Sequence, residues 1–195
     1  MNRWFLLMLA AAAVSFCGCS SVYMPAVDPN KSDLTAEQTA ALSKTKFKVP
    51  CRVEVHCPDS MIGSGPNIFT EDTYNYPLQE ILRNGFNSAA GKIFESPRSE
   101  VIDAFTIYVT VPESQLVVSG GVAQYTLDVI VVFKEPGEKK VDAFEMKKTV
   151  ELPHENKKDV PDAIYKAVQE VAFESAKKLS ANPKVMKTVK RFEDR

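Results

Sequence analysis

Apolar residues recur at every second position through the middle of the chain. Phe105, Ile107, Val109 and Val111 form one such run. Ala123, Tyr125, Leu127, Val129, Val131 and Phe133 form a second, and Phe144, Met146, Val150 and Leu152 a third. A period of two puts alternate side chains on opposite faces of a pleated strand, so each run predicts a strand with one buried face. The strands are expected over 102–111, 115–134 and 141–152. Pro112-Glu113-Ser114 reads as a turn, Gly120-Gly121 as a bulge or sharp bend within the second run, and Glu135-Pro136-Gly137-Glu138 as another turn. Lys148 stands alone as a charge on the apolar side of the third run. The opposite side (Ala143, Glu145, Lys147, Thr149 and Glu151) reads as a solvated surface. A further strand is expected over 49–57, where Val49, Cys51, Val53, Val55 and Cys57 alternate with Arg52, Glu54 and His56.

Two segments carry the helical period instead. Leu78, Ile81, Leu82, Phe86, Ala89, Ala90 and Ile93 form an apolar stripe, with Asn75 as a cap, Pro77 in the first turn and Pro97 closing the segment. Ile164, Ala167, Val168, Val171, Ala172, Ser175 and Leu179 form a second stripe, with Asp159 as a cap and Asn182-Pro183 as its end. The charged tail from Lys184 to Arg195 reads as a short amphipathic helix or a frayed end. The order β-α-β-β-β-α predicts an α+β fold: a mainly antiparallel sheet of about four strands with two helices packed on one face.

The N-terminus follows another logic. Arg3 precedes an apolar run from Trp4 to Val14, and Phe16-Cys17-Gly18-Cys19 follows. That is a bacterial secretion signal; the run is shorter than the roughly 20 residues a membrane span needs. Its end is similar to a lipobox, with Gly18 before the cut, Phe16 where Leu is usual, and Cys19 as the lipid acceptor. Three parts are therefore expected: signal peptide 1–18, lipid anchor and flexible tether 19–46, and a single α+β domain 47–195 with a charged tail. A lipobox implies several acyl chains (palmitate and its like), and each buried methylene contributes about 0.8 kcal/mol, so the anchor holds. Ser20 stands where an Asp would favour the inner membrane, which points to the outer membrane. Within the tether, Thr35-Ala36-Glu37-Gln38 has the form of a capping box and allows a turn or two of helix. As free coil, residues 20–46 would span roughly 30 Å.

Composition and side-chain chemistry exclude more than they suggest. A net charge of −1 argues against a broad nucleic-acid footprint. Of four cysteines, Cys17 leaves with the signal and Cys19 takes the lipid. Cys51 and Cys57 lie six residues apart on one strand, roughly 20 Å, beyond disulfide reach of about 7 Å, and read as small buried hydrophobes. His56 and His154 have no neighbours at metal-ligand spacing, so no metal or other cofactor is expected. Ser64 and Ser119 touch glycines without forming a nucleophile elbow. Asp128 interrupts an apolar run at an outward position and reads as exposed. Tyr74, Tyr76, Tyr108 and Tyr125 read as packing residues. The polar stretch from Pro58 to Asn75 reads as a long loop and a candidate contact surface.

The lipobox-like end at Cys19, the helix start Leu78-Gln79-Glu80-Ile81-Leu82, the strand Val122-Ala123-Gln124-Tyr125-Thr126-Leu127 after a glycine, and the closing helix Ala163–Leu179 together resemble the YajG-like family of small bacterial outer-membrane lipoproteins. The resemblance covers roughly residues 48–192; the long loop before the first helix departs from the family pattern. The element order is also similar to lipoproteins that assist lipopolysaccharide export or activate peptidoglycan synthases. The resemblance implies an envelope location, no known enzymatic activity and no catalytic residues. The expected function is that of a non-enzymatic, lipid-anchored periplasmic module that binds an envelope protein. Glu145, Lys147 and Thr149 are its candidate docking face. The alternative is a carrier holding a lipid or other amphiphile between helices and sheet.

Overall fold

The computed structural model describes residues 22–23, 28–44, 46–57, 61–64, 73–97, 103–153, 155 and 160–194. The strands are β1 (Val22–Tyr23), β2 (Cys51–His56), β3 (Met61–Ser64), β4 (Thr73–Tyr76), β5 (Phe105–Ser119), β6 (Val122–Lys134) and β7 (Lys140–Pro153). The helices are α1 (Ala36–Leu42), α2 (Leu78–Ile93), α3 (Val160–Ala181) and α4 (Pro183–Glu193), with a 3-10 turn at Pro29–Ser32. The fold is α+β. Its main sheet has the order β2-β5-β6-β7. β2 runs parallel to β5, as a crossover through α2 requires. The other two pairings are antiparallel.

One face of this sheet is the core. The six alternating residues of β6 from Ala123 to Phe133 are all fully buried beneath α2 and α3. Phe133 stacks between Phe94 and Phe105, with ring centroids 5.5 and 5.3 Å away, and Phe47 and Phe192 extend the cluster at 5.1 Å from Phe94 and Phe105. Lys148, the charge on the apolar side of β7, stays exposed and reaches Glu170 of the neighbouring helix α3 at 2.6 Å.

The turn expected at Pro112-Glu113-Ser114 is instead a bulge, while Gly120-Gly121 takes the sharp-bend alternative. Pro112-Glu113-Ser114 does not turn the chain; β5 runs straight through it. Between the pairs Thr110↔Ile130 and Glu113↔Asp128, Val111 and Pro112 oppose Val129 alone, which is a β-bulge. Proline has no N–H for the ladder, and a bulge is where a strand tolerates that loss. The chain reverses instead at Gly120-Gly121, both at positive φ (58° and 78°). Two consecutive left-handed residues make the hairpin turn whose twist matches that of the flanking strands.

Local pairing changes two further readings and settles a third. Asn75 lies in β4, not at a helix cap; Pro77 holds the cap position without a side-chain hydrogen bond. The stretch from Pro58 to Asn75 contains strands β3 and β4, which pair antiparallel, with β1 parallel to β4 on the other side. Asp159 and His154 lie outside the described residues. The tail forms α4, capped by Asn182, whose Oδ1 accepts from Lys184 N at 2.8 Å, and it buries Val185 and Val189.

Residues 28–44, expected as part of a tether, form a strap over the helix layer. The capping box of α1 is present in both directions, at 3.2 and 2.9 Å. The strap is tied down along its length: Asp28 N donates to Tyr165 Oη at 2.8 Å, Lys31 pairs with Asp162 at 2.8 Å, and Gln169 donates to the Asp33 carbonyl. Leu42 and then Phe47 are buried at the far end, where Phe47 N donates to the Ile93 carbonyl at 2.8 Å.

The strap crosses the helices at Gly85. A Cβ there would lie 2.8 Å from Val168 Cγ1 and 3.4 Å from the Ser32 carbonyl oxygen. Alanine for glycine inside a helix ordinarily gains about 1 kcal/mol. Gly85→Ala should instead lose about 1–3 kcal/mol, because stiff Val168 cannot yield. Urea denaturation checks this, and in a Val168→Ala background the loss should disappear.

Candidate functional surface

Among the described residues, no helix packs on the second face of the main sheet. Its side chains lie in rows set by the strand registers. Glu54, Tyr108, Val132 and Ala143 form one row, and His56, Thr110, Ile130 and Glu145 the next. Beyond the bulge follow Glu113, Asp128 and Lys147, then Gln115, Thr126 and Thr149, then Val117, Gln124 and Glu151. The central rows carry a half-buried apolar band of Tyr108, Val132 and Ala143, with Ile130 at 37% exposure beside it.

Polar pairs flank that band. At one end Arg52 bridges Thr106 Oγ1 at 3.1 Å, Glu54 at 3.0 Å and Glu138 at 3.3 Å. Lys134 reaches Glu138 at 2.6 Å and lies 4.9 Å over the Tyr108 ring, and the His56 ring is tilted against that of Tyr108 with centroids 5.2 Å apart. At the other end Lys147 pairs with Glu113 at 2.9 Å, Thr149 with Thr126 at 3.0 Å, and Gln124 with Glu151. The Lys147 ammonium is held above its ordinary pKa first by the Glu113 hydrogen bond, with Asp128 and Glu145 adding negative charge nearby.

Of the residues chosen from sequence, Glu145, Lys147 and Thr149 do stand together on this open face, all exposed. Cys19 lies outside the described residues. Asp128 is where the sequence reading fell short. It points to the open face, as the alternation requires, yet it is only 8% exposed. Lys147 and Glu113 stand on either side of it and pair with each other, and Asp128 Oδ1 has no hydrogen-bond partner among the described residues. Alternation reports which face a residue takes; it cannot report what its cross-strand neighbours cover. The signal that was available is an acid set among Leu127, Val129 and Ile130.

On the core side, the bulge turns Ser114 inward, and its hydroxyl lies 2.6 Å from that of Tyr125. Tyr76 of β4 meets Tyr125 edge-on at 6.1 Å, joining the small sheet to the main one. Burial pushes both phenols above their ordinary pKa, Tyr125 the further. Burial likewise pushes the Cys51 thiol up to about 12. Neither Cys51 nor Cys57 takes part in a disulfide among the described residues. Among the described residues, no three His, Cys, Asp or Glu side chains come together as metal ligands, and no helix is long and apolar enough to cross a membrane.

The fold thus defines a class: a four-stranded mixed sheet with one face covered by two helices and a strap, and the other left open by the described residues. No protein-family model matches the chain, and no curated protein matches it. Among solved structures, a protein from Xanthomonas campestris of the DUF330 family is similar with a TM-score of 0.55 at 11% identity, over 82% of this chain and 95% of that one. At that identity the likeness is one of fold. A lipoprotein candidate from Caulobacter crescentus (TM-score 0.38, 13% identity, 74% of this chain and 91% of that one) and a minor lipoprotein from Acinetobacter baumannii (0.35, 14%, 69% and 94%) are also similar, at scores that add nothing to the argument.

Two outcomes test this description. A buried acid oxygen without a partner costs stability, about 1–3 kcal/mol by analogy with other unsatisfied groups. Asp128→Val should therefore raise the denaturation midpoint; a lowered midpoint would assign Asp128 a structural partner. Separately, thiols and phenols with raised pKa values keep their protons in the folded state while the unfolded chain ionises. Their contribution is complete below the unfolded thiol value, 9.0, and is lost as pH climbs toward the folded value of Cys51, about 12. Stability measured in a denaturant series should fall across that window, and less steeply in Cys51→Ala.

Proposed function

We propose that the chain is a non-enzymatic lipoprotein, anchored through Cys19 and facing the periplasm from the outer membrane, whose open sheet face docks an envelope protein. The observation that carries this reading is the face itself. It has an apolar band in the middle, polar pairs at both ends and one buried carboxylate oxygen without a partner, the layout of an interface core and rim. The lipobox-like sequence at Cys19, Ser20 after it, and the resemblance to YajG-like lipoproteins support the location. A carrier would need room between helices and sheet, and there the rings of Phe94, Phe133 and Phe105 are stacked face to face.

In-cell photo-crosslinking tests the docking face. A crosslinking side chain at Ile130 or Lys147 should capture one defined envelope protein, and the same probe at Glu174 on α3 should not. Asp128→Val should weaken that crosslink. Equal capture from Glu174, or none from the sheet in membrane-bound protein, would overturn the reading. Cys19→Ala should abolish incorporation of labelled fatty acid.

A further inference from the structure

The strap fixes how far the domain can stand from its anchor. Val22 and Tyr23 pair with Thr73 and Tyr74 of β4. Only three residue steps separate Cys19 from Val22, which at full extension is about 10 Å. Even if that pairing opens, the tie from Asp28 N to Tyr165 Oη lies nine steps from Cys19, a reach of about 30 Å at most. At full extension a free tether of 27 residues would reach about 90 Å, several times the length of this leash.

The leash meets the domain at one pole. Lys31, Asp162, Tyr165, Lys166, Gln169 and Leu152 line a shared groove of about 400 Å³, which places the start of the strap beside the first turns of α3 and the end of β7. Pro153 of β7 pairs with Val122, so the β5–β6 turn is at this pole too. The opposite pole holds the β6–β7 turn and α4, joined by Arg191 to Glu135 and by Asn182 to Asp142 at 2.5 Å. Strand β5, 15 residues long, runs between the poles and separates them by roughly 45 Å. The exposed Lys187 and Lys190 of α4 belong to the far pole.

We infer that the occupant of the near pole is the membrane that holds the anchor. The domain stands on the lipid surface with β1, β4 and the N-terminus of α3 against the headgroups, and α4 is held away from it. This rests on lipidation at Cys19, the reading given above. The near pole requires no lipid pocket of its own; the short leash is sufficient.

The test uses the full lipidated chain in vesicles of phosphatidylethanolamine and phosphatidylglycerol, with the same protein in detergent as reference. Amine-reactive labelling is followed at Lys31 and Lys166 near the anchor and at Lys187 and Lys190 on α4. In vesicles the first two should react severalfold more slowly than in detergent, and the last two at an unchanged rate. A flexible Gly/Ser insert of about 20 residues between Ser21 and Val22, spanning roughly 25 Å, should restore the lost reactivity. Equal rates at all four lysines in floating vesicles would overturn the orientation and leave the anchor standing. Protection of Lys187 and Lys190 instead would reverse the poles and overturn it as well. Protection that survives the insert would overturn the leash as its cause. Protein that fails to float with vesicles would overturn the anchor reading, and the inference with it.

Discussion

Two residues of β5 facing one of β6 is the constraint on which the rest of this structure turns. The bulge at Val111 and Pro112 changes the parity of the strand. Before it, Phe105, Ile107 and Val109 face the helices; after it, Leu116 takes the buried side. Without that shift, half of a 15-residue strand would present its apolar side chains to solvent, because a one-residue slip exchanges every face. The same shift aims Ser114 inward at Tyr125 and sends Glu113 outward beside Asp128. One local irregularity thus supplies both the polar tie beneath the sheet and the charged row on its open side.

The helix layer depends on a second close approach. Gly85 lets α2 and α3 come together with the 3-10 turn lying over the junction, and Ser32 is fully buried there. Strap and helices are consequently one packed unit. The hydrogen bonds along the strap are individually modest, about 1 kcal/mol each. Their effect is to fix where the chain enters the domain.

Most of the architecture was legible in the sequence, since periods of two and of 3.6 are local properties. The six buried residues of β6 and the stripes of α2 and α3 follow directly from spacing. The placing of turn and bulge was harder, because Pro-Glu-Ser and Gly-Gly both punctuate a chain. The discriminating sign was the parity change between Val109 and Leu116, which a bulge inside one strand produces. The strap was less legible still. Its anchoring residues, Ser32, Leu42 and Phe47, have no regular spacing, and their seats are a notch at Gly85 and a ring at Phe94. Such seats exist only once the helices have packed. For the surface, alternation identified Glu145, Lys147 and Thr149 as neighbours on the open face. The burial of Asp128 depended on two other strands bringing Glu113 and Lys147 to its sides, information that no single strand contains.

The two poles and the two sheet faces are perpendicular features, and that relation bears on how the protein works. The strands run between the near pole and α4, so on the orientation inferred above the open face would look along the membrane plane. A partner docking there meets the domain from the side, at the height of the rows that hold Ile130, Asp128 and Lys147. The apolar band then lies well above the headgroups, out of competition from lipid, and the leash keeps it at that height. A long tether would present the same face in every direction, and only a small share of encounters would be productive. If the inferred anchor and docking face hold, fixing the entry of the chain at Asp28 would remove that orientational cost before binding begins, as preorganisation does generally.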